Sequence, residues 1–171
     1  MKNIILTGFM GTGKSTVGRL LARELGLQFH DIDTLIEAEA GTAVKEIFKA
    51  HGEAAFREIE KRIIKKLSEN CYGTGLVIAT GGGAVVNPEN RAILKSWGTI
   101  ICLSASVDEI IKRVGDKGDR PLLAAEDKKG AIEKLLNERA EAYRDCDMCI
   151  DTTSKSVEEV VAAIKARINS R

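Results

Sequence analysis

Gly8-Phe9-Met10-Gly11-Thr12-Gly13-Lys14-Ser15 lies between a short apolar run at residues 2–7 and a segment at residues 14–25. In that segment Val17, Leu20, Leu21 and Leu25 recur on one helical stripe. The octapeptide matches the pattern Gly-x-x-x-x-Gly-Lys-Ser/Thr in full. Glycines in such a loop let backbone N–H groups turn inward around phosphate oxygens, and the following helix adds a partial positive charge at its N-terminus. Lys14 is placed to reach the β- and γ-phosphates, and the Ser15 hydroxyl suits a magnesium ion. The bland alternative is a glycine turn that only caps a helix. The strand before and the helix after favour a nucleoside triphosphate held with Mg²⁺ by this loop.

Outward from this loop, strand and helix patterns alternate. Strands are predicted at residues 2–7, 27–30, 76–79, 99–103 and 148–151. Helices are predicted at 14–25, 34–40, 43–50, 53–70, 88–97, 107–114, 131–143 and 157–168. Residues 115–128, with their glycines, charges and Arg120-Pro121, break the pattern and read as a mobile loop. Five strands separated by helices predict an α/β domain with a parallel sheet covered on both faces. At 171 residues the chain hides about 70 % of its surface on folding, enough for one core and one domain.

Composition narrows the function classes. Hydrophobic residues at 44 % and charged residues at 30 % exclude a disordered or collagen-like chain. Lys and Arg number 26 against 25 Asp and Glu, so the net charge of +1 gives no reason to expect nucleic acid or an anionic membrane as a partner. No apolar run approaches the ~20 residues that span a bilayer, and the N-terminus is a poor secretory signal. A cytoplasmic setting with free thiols is therefore expected for Cys71, Cys102, Cys146 and Cys149. Cys146 and Cys149 have a C-x-x-C spacing, but no second ligand pair accompanies them, and they read as plain thiols beside a strand.

The phosphate loop does not by itself separate a switch, a motor and a small-molecule kinase; other polar groups bear on that choice. Asp31-Ile32-Asp33 follows the second strand, and its spacing puts both carboxylates on one side of an extended segment. One carboxylate suits water on a metal and the other an attacking hydroxyl; helix capping is the alternative. Arg57 and Glu60 share a helix face, either as a braced fork for a carboxylate or as a surface ion pair. Gly81, Gly82 and Gly83 follow an apolar strand and would bring bare backbone close to a ligand. Arg120 lies in the 115–128 loop, and Arg139 and Tyr143 share a face of the next helix; solvated charge is the alternative for each arginine.

Taken together, Asp31-x-Asp33, Phe56-Arg57-x-x-Glu60, Gly81-Gly82-Gly83, Arg120-Pro121-Leu122-Leu123 and Arg139-x-x-x-Tyr143 resemble the shikimate kinase family from Ile4 to about Asp151. The resemblance implies a P-loop kinase fold of the nucleoside monophosphate kinase type, with five parallel strands, a substrate-binding region at about residues 33–61 and a lid at about 115–127. It implies a mostly monomeric enzyme that uses ATP and Mg²⁺ to phosphorylate the 3-hydroxyl of shikimate in aromatic amino-acid synthesis. It assigns the ATP phosphates to Gly11, Thr12, Gly13, Lys14, Ser15, Thr16 and Arg120, catalytic roles to Lys14, Asp33 and Arg120, and metal binding to Ser15 and, through water, Asp31. Asp33, Phe48, Phe56, Arg57, Gly81, Gly82, Gly83 and Arg139 would bind shikimate, with Glu60 and Tyr143 in support. Arg113 and Lys155 would lie near the adenine; the family often has a proline after the basic residue here, and this chain has none. The nearest alternatives are a gluconate or nucleoside monophosphate kinase, or a nucleotide switch, although no guanine-specific Asn-Lys-x-Asp run is present.

Overall fold

Asn3-Ile4-Ile5-Leu6-Thr7 forms strand β1 (Asn3–Thr7), and all five residues are buried because helices cover both faces of the strand. The computed structural model describes residues 2–71, 75–115 and 127–170. The other strands are β2 (Gln28–Asp31), β3 (Leu76–Ala79), β4 (Gly98–Ser104) and β5 (Met148–Asp151). They form one sheet in the order β2-β3-β1-β4-β5 with every neighbouring pair parallel, as the alternation of patterns predicts. Around it lie α1 (Lys14–Leu25), α2 (Ile32–Ala40), α3 (Val44–Asn70), α4 (Pro88–Trp97), α5 (Val107–Val114), α6 (Lys128–Arg144) and α7 (Val157–Asn169). Because successive strand residues face opposite ways, Ile4 and Leu6 pack with α1 and α7, through Val17, Leu21, Val161 and Ile164. Ile5 packs the other way, with Ile36, Ile64, Leu94 and Trp97 of α2, α3 and α4. Asn3, buried among them, ties the strand starts together: its amide donates to the Trp97 carbonyl at 3.2 Å and accepts from Leu76 N–H at 2.9 Å.

This order places β1 centrally, with its C-terminal end between those of β3 and β4, the crevice where parallel sheets hold ligands. Three local features depart from expectation. First, α2 begins at Ile32, so Asp31 ends β2 while Asp33 lies on the first helical turn; the two are not on one extended segment. Asp31 is the reason, since its Oδ1 accepts from the Asp33 N–H at 3.1 Å and caps the helix. Second, the helices predicted at 43–50 and 53–70 run together as α3, but Gly52 (φ 77°, ψ 176°) breaks the helical path between them. Third, residues 84–86 form a single tight helical turn that the apolar pattern does not reveal. The 115–128 loop, its lid reading and Arg120 lie outside the described residues, apart from its ends at Gly115, Asp127 and Lys128.

Candidate active site

The phosphate loop leaves the end of β1 and enters α1. Gly8, Gly11 and Gly13 all have positive φ (125°, 77° and 93°), which only glycine adopts without strain. A side chain on Gly8 would collide with the Leu103 carbonyl of β4, so the loop also needs glycine for closeness to the sheet. The loop is held by its own atoms: Thr12 Oγ1 donates to the Phe9 carbonyl at 2.7 Å. Lys14 Nζ donates to the Gly8 and Phe9 carbonyls, both at 2.8 Å. The Ser15 hydroxyl donates to Asp31 Oδ2 at 2.5 Å, which brings two hard oxygen donors from separate segments together. That donor set fits Mg²⁺.

A cavity of about 500 Å³ opens over this loop. At one end stand Arg113, Lys155 and Val157, and at the other Asp33, Thr80 and Gly82. Arg113 spans the first end: its Nη2 donates to the Thr152 carbonyl at 2.6 Å and its Nη1 to Thr152 Oγ1 at 2.9 Å. Thr152 Oγ1 is in turn 3.2 Å from the Thr12 carbonyl, so the loop after β5 is fastened to the phosphate loop. Thr152 thus has a structural part that the sequence reading missed; its position after Asp151 was the available signal.

The opposite end is a cluster of buried charge. Arg57 Nη1 donates to Glu60 Oε2 at 2.8 Å, and Arg57 Nη2 donates to Glu53 Oε1 at 3.0 Å. Glu60 is fully buried and Arg139 is 7 % exposed, so neither the surface-pair nor the solvated-charge alternative holds for them. Arg139 lies 5.9 Å from the Phe9 ring centroid and so reaches the phosphate loop itself. Tyr143, one turn on, donates to the Gly82 carbonyl at 2.5 Å. Phe48 and Phe56 stack with centroids 4.7 Å apart, and Arg57 covers the Phe56 ring at 5.1 Å. Glu53 was missed from sequence, although its i,i+4 spacing to Arg57 was visible.

Within the glycine run, Gly82 lines the cavity beside the backbone of the phosphate loop, and the room at Gly81 and Gly83 is taken by side chains. A β-carbon on Gly81 would lie 2.7 Å from Glu60 Oε1 and 2.9 Å from Asp33 Oδ1, and one on Gly83 would overlap the Arg57 guanidinium. These contacts bring Asp33, Arg57 and Glu60 onto one turn. Burial, with Asp31 beside it, pushes the Asp33 carboxyl above its ordinary range, against the pull of Lys14 and Arg57. Glu60 moves the same way through burial and Asp33, opposed by Arg57 and Arg139. Burial lowers Arg57, but Glu60 and Glu53 outweigh it and hold the guanidinium more firmly protonated.

A cradle for phosphate therefore faces two arginines, Arg139 buried and Arg57 half-buried, and a buried carboxylate, and the sequence profile of shikimate kinase matches residues 10–169. The chain belongs to the shikimate kinase family. A shikimate kinase of Geobacter metallireducens is 45 % identical over 100 % of this chain and 94 % of its own length. That of Geobacter sulfurreducens is 48 % identical over 95 % of this chain and 88 % of its own length. Among solved structures, shikimate kinase from Acinetobacter baumannii in complex with shikimate superposes with a TM-score of 0.94 at 36 % identity, covering 99 % of this chain and 94 % of that one. The fold is thus that of the shikimate kinases, a kinase family that uses ATP as co-substrate.

Proposed function

We propose that this protein transfers the γ-phosphoryl group of ATP to the 3-hydroxyl of shikimate, giving shikimate 3-phosphate for aromatic amino-acid synthesis. The observation that carries this reading is the gathering of Asp33, Arg57, Glu60 and Arg139 next to the phosphate loop, from three helices far apart in the chain. Two neighbouring guanidinium groups, one buried and one half-buried, match a small carboxylate, and the neighbouring carboxylate matches a hydroxyl. Phe48 and Phe56 offer an apolar wall for a carbocycle.

In this reading Gly11, Thr12, Gly13, Lys14, Ser15 and Thr16 hold the triphosphate, and Arg113 and Lys155 flank the base. Mg²⁺, held by Ser15 and through water by Asp31, supplies charge neutralisation on the phosphates when bound. Arg57 and Arg139 grip the acceptor's carboxylate, Gly82 brings bare backbone close to it, and Gly81 and Gly83 make way for Glu60, Asp33 and Arg57. Asp33 aligns the hydroxyl and takes its proton, and Lys14 and Arg120 offset charge on the group in transfer. Glu60 and Tyr143 hold this arrangement in place. The chain acts as one domain over residues 1–171, with its substrate region at about 33–61 and its lid at about 115–127. It works as a cytoplasmic monomer on small molecules, without nucleic acid or membrane.

A coupled assay with shikimate, gluconate and AMP as alternative acceptors tests the proposal. Turnover with shikimate alone is expected. Turnover of another acceptor with none of shikimate overturns it. Calorimetry that finds ATP bound and no small carboxylate bound favours a nucleotide switch instead.

A further inference from the structure

Glu60 is 0 % exposed, and no other described carboxylate is so enclosed. Its two oxygens have different surroundings. Oε2 accepts from Arg57 at 2.8 Å, whereas Oε1 is buried without a hydrogen-bond donor. Oε1 faces the Gly81 backbone, where the site of a β-carbon is 2.7 Å from it and 2.9 Å from Asp33 Oδ1, a second buried oxygen without a donor. The charged groups around Glu60 are Arg57 on its own helix, Asp33 on α2 and Arg139 on α6. The turn at residues 81–83 is uncharged, and Glu53 already takes the other arm of Arg57, at 3.0 Å.

An ionised oxygen out of water, without a donor and beside another carboxylate, is costly; a proton on it removes the cost. A charge count agrees. If Glu53 and Glu60 were both ionised, Arg57 would face two carboxylates and have no surplus charge for a third. A neutral Glu60 still accepts from Arg57 through Oε2.

We infer that Glu60 is a positioning residue that works as a neutral carboxylic acid, protonated on Oε1, fixing Arg57 while leaving its charge free for the carboxylate of the acceptor substrate. This deepens the carboxylate grip proposed above and rests on it. Burial and Asp33 push the Glu60 carboxyl upward, which agrees with the geometry. Anion binding and the Glu60 proton are then linked: loss of the proton in alkali restores a negative charge beside Arg57 and weakens the grip.

The test is the Kd of shikimate for the full-length protein between about pH 6 and about pH 9, in wild type and Glu60→Gln. A glutamine can accept from Arg57 with its oxygen and turn its NH₂ toward Asp33, so it imitates the neutral acid. Wild-type affinity is expected to fall about tenfold per pH unit once Glu60 ionises. Glu60→Gln is expected to keep affinity within about threefold at neutral pH and to lose that alkaline fall. A wild-type affinity that strengthens with rising pH while Glu60→Gln stays flat, or a folded Glu60→Gln that loses affinity about tenfold or more, overturns the inference. Infrared pH-difference spectra of ligand-free wild type carrying ¹³C-glutamate give a second readout that needs no variant. A protonated-carboxyl stretch persisting at neutral pH is expected, and its absence overturns the inference. Failure of wild type to bind shikimate would instead strike the proposed function, while the infrared result still judges Glu60.

Discussion

The donor and acceptor ends of the cavity are built in opposite ways. The donor end is eight consecutive residues whose backbone does most of the work, and its one buried cation, Lys14, rests on carbonyls of the same loop. The acceptor end is assembled from side chains on α2, α3 and α6 around the turn at residues 81–83, and it encloses charge that folding alone has gathered. The loop of a locally built site takes its shape when β1 and α1 form, and here Asp31, Arg113 and Thr152 then fasten it to the rest of the sheet edge. An assembled one exists only when distant elements pack in register, and it carries the desolvation cost of its charges. The two ends should therefore be separable by mutation, each losing its own ligand and keeping the other's.

The largest effect is expected at the donor end. Lys14→Met removes the loop's positive charge and should lower kcat about 10³-fold or more, with the shikimate Kd unchanged within about twofold. Stopped-flow turnover with calorimetry checks both, and a matching loss of shikimate affinity would break the separation. Asp33→Asn comes next. It keeps the shape, removes the proposed base, and should cost about 10²- to 10³-fold in kcat with the ATP KM little changed. Near-normal kcat would leave Asp33 only an aligning part.

Arg57→Ala and Arg139→Ala sharpen the contrast from the acceptor end. Each deletes a charged partner for a carboxylate and should raise the shikimate KM about 10- to 100-fold, with the ATP KM within about twofold. Gly83→Ala tests the same end without touching a charge. Its β-carbon would overlap the Arg57 guanidinium, so Arg57 must shift, and a roughly tenfold rise in shikimate KM is expected by steady-state kinetics. An unchanged KM would mean that the arginine can move without loss of grip.

The same contrast explains what was legible from sequence. The phosphate loop, the five strands and most helix limits follow from contiguous patterns, because local spacing causes them. Gly41 ends α2 where the helical pattern stops, whereas Gly52 interrupts the path of α3 without ending it. The burial of Glu60 and Arg139 was not legible from spacing alone, since an i,i+3 or i,i+4 pair looks the same on a wet face and a dry one. Spacing marks those residues as candidates and the resemblance implies their roles; packing supplies the reason they are enclosed. Asp33 was misplaced onto an extended segment because capping by Asp31 starts α2 two residues before the apolar pattern predicts. The side-chain occupancy of the glycine run could not be seen at all, because it depends on what three other elements bring to it.

The smallest expected effect separates the ends most finely. Tyr143 belongs to the acceptor side: its hydroxyl donates to the Gly82 carbonyl and ties α6 to the turn at 81–83. Tyr143→Phe removes that one bond and leaves the ring in place. A single buried hydrogen bond contributes about 0.5–1.5 kcal/mol, so Tm should fall by about 1–6 °C for a chain of this size. Gly82 also lines the cavity at its acceptor end, so a slackened turn should raise the shikimate KM by about threefold or less. The ATP KM should not move, because the phosphate loop is held by its own Thr12 and Lys14 bonds rather than by α6. Differential scanning calorimetry and paired KM measurements decide it. If the ATP KM rises as much as the shikimate KM, then α6 supports both ends at once, through Arg139 over the Phe9 ring, and the donor loop is less self-sufficient than its internal bonds imply.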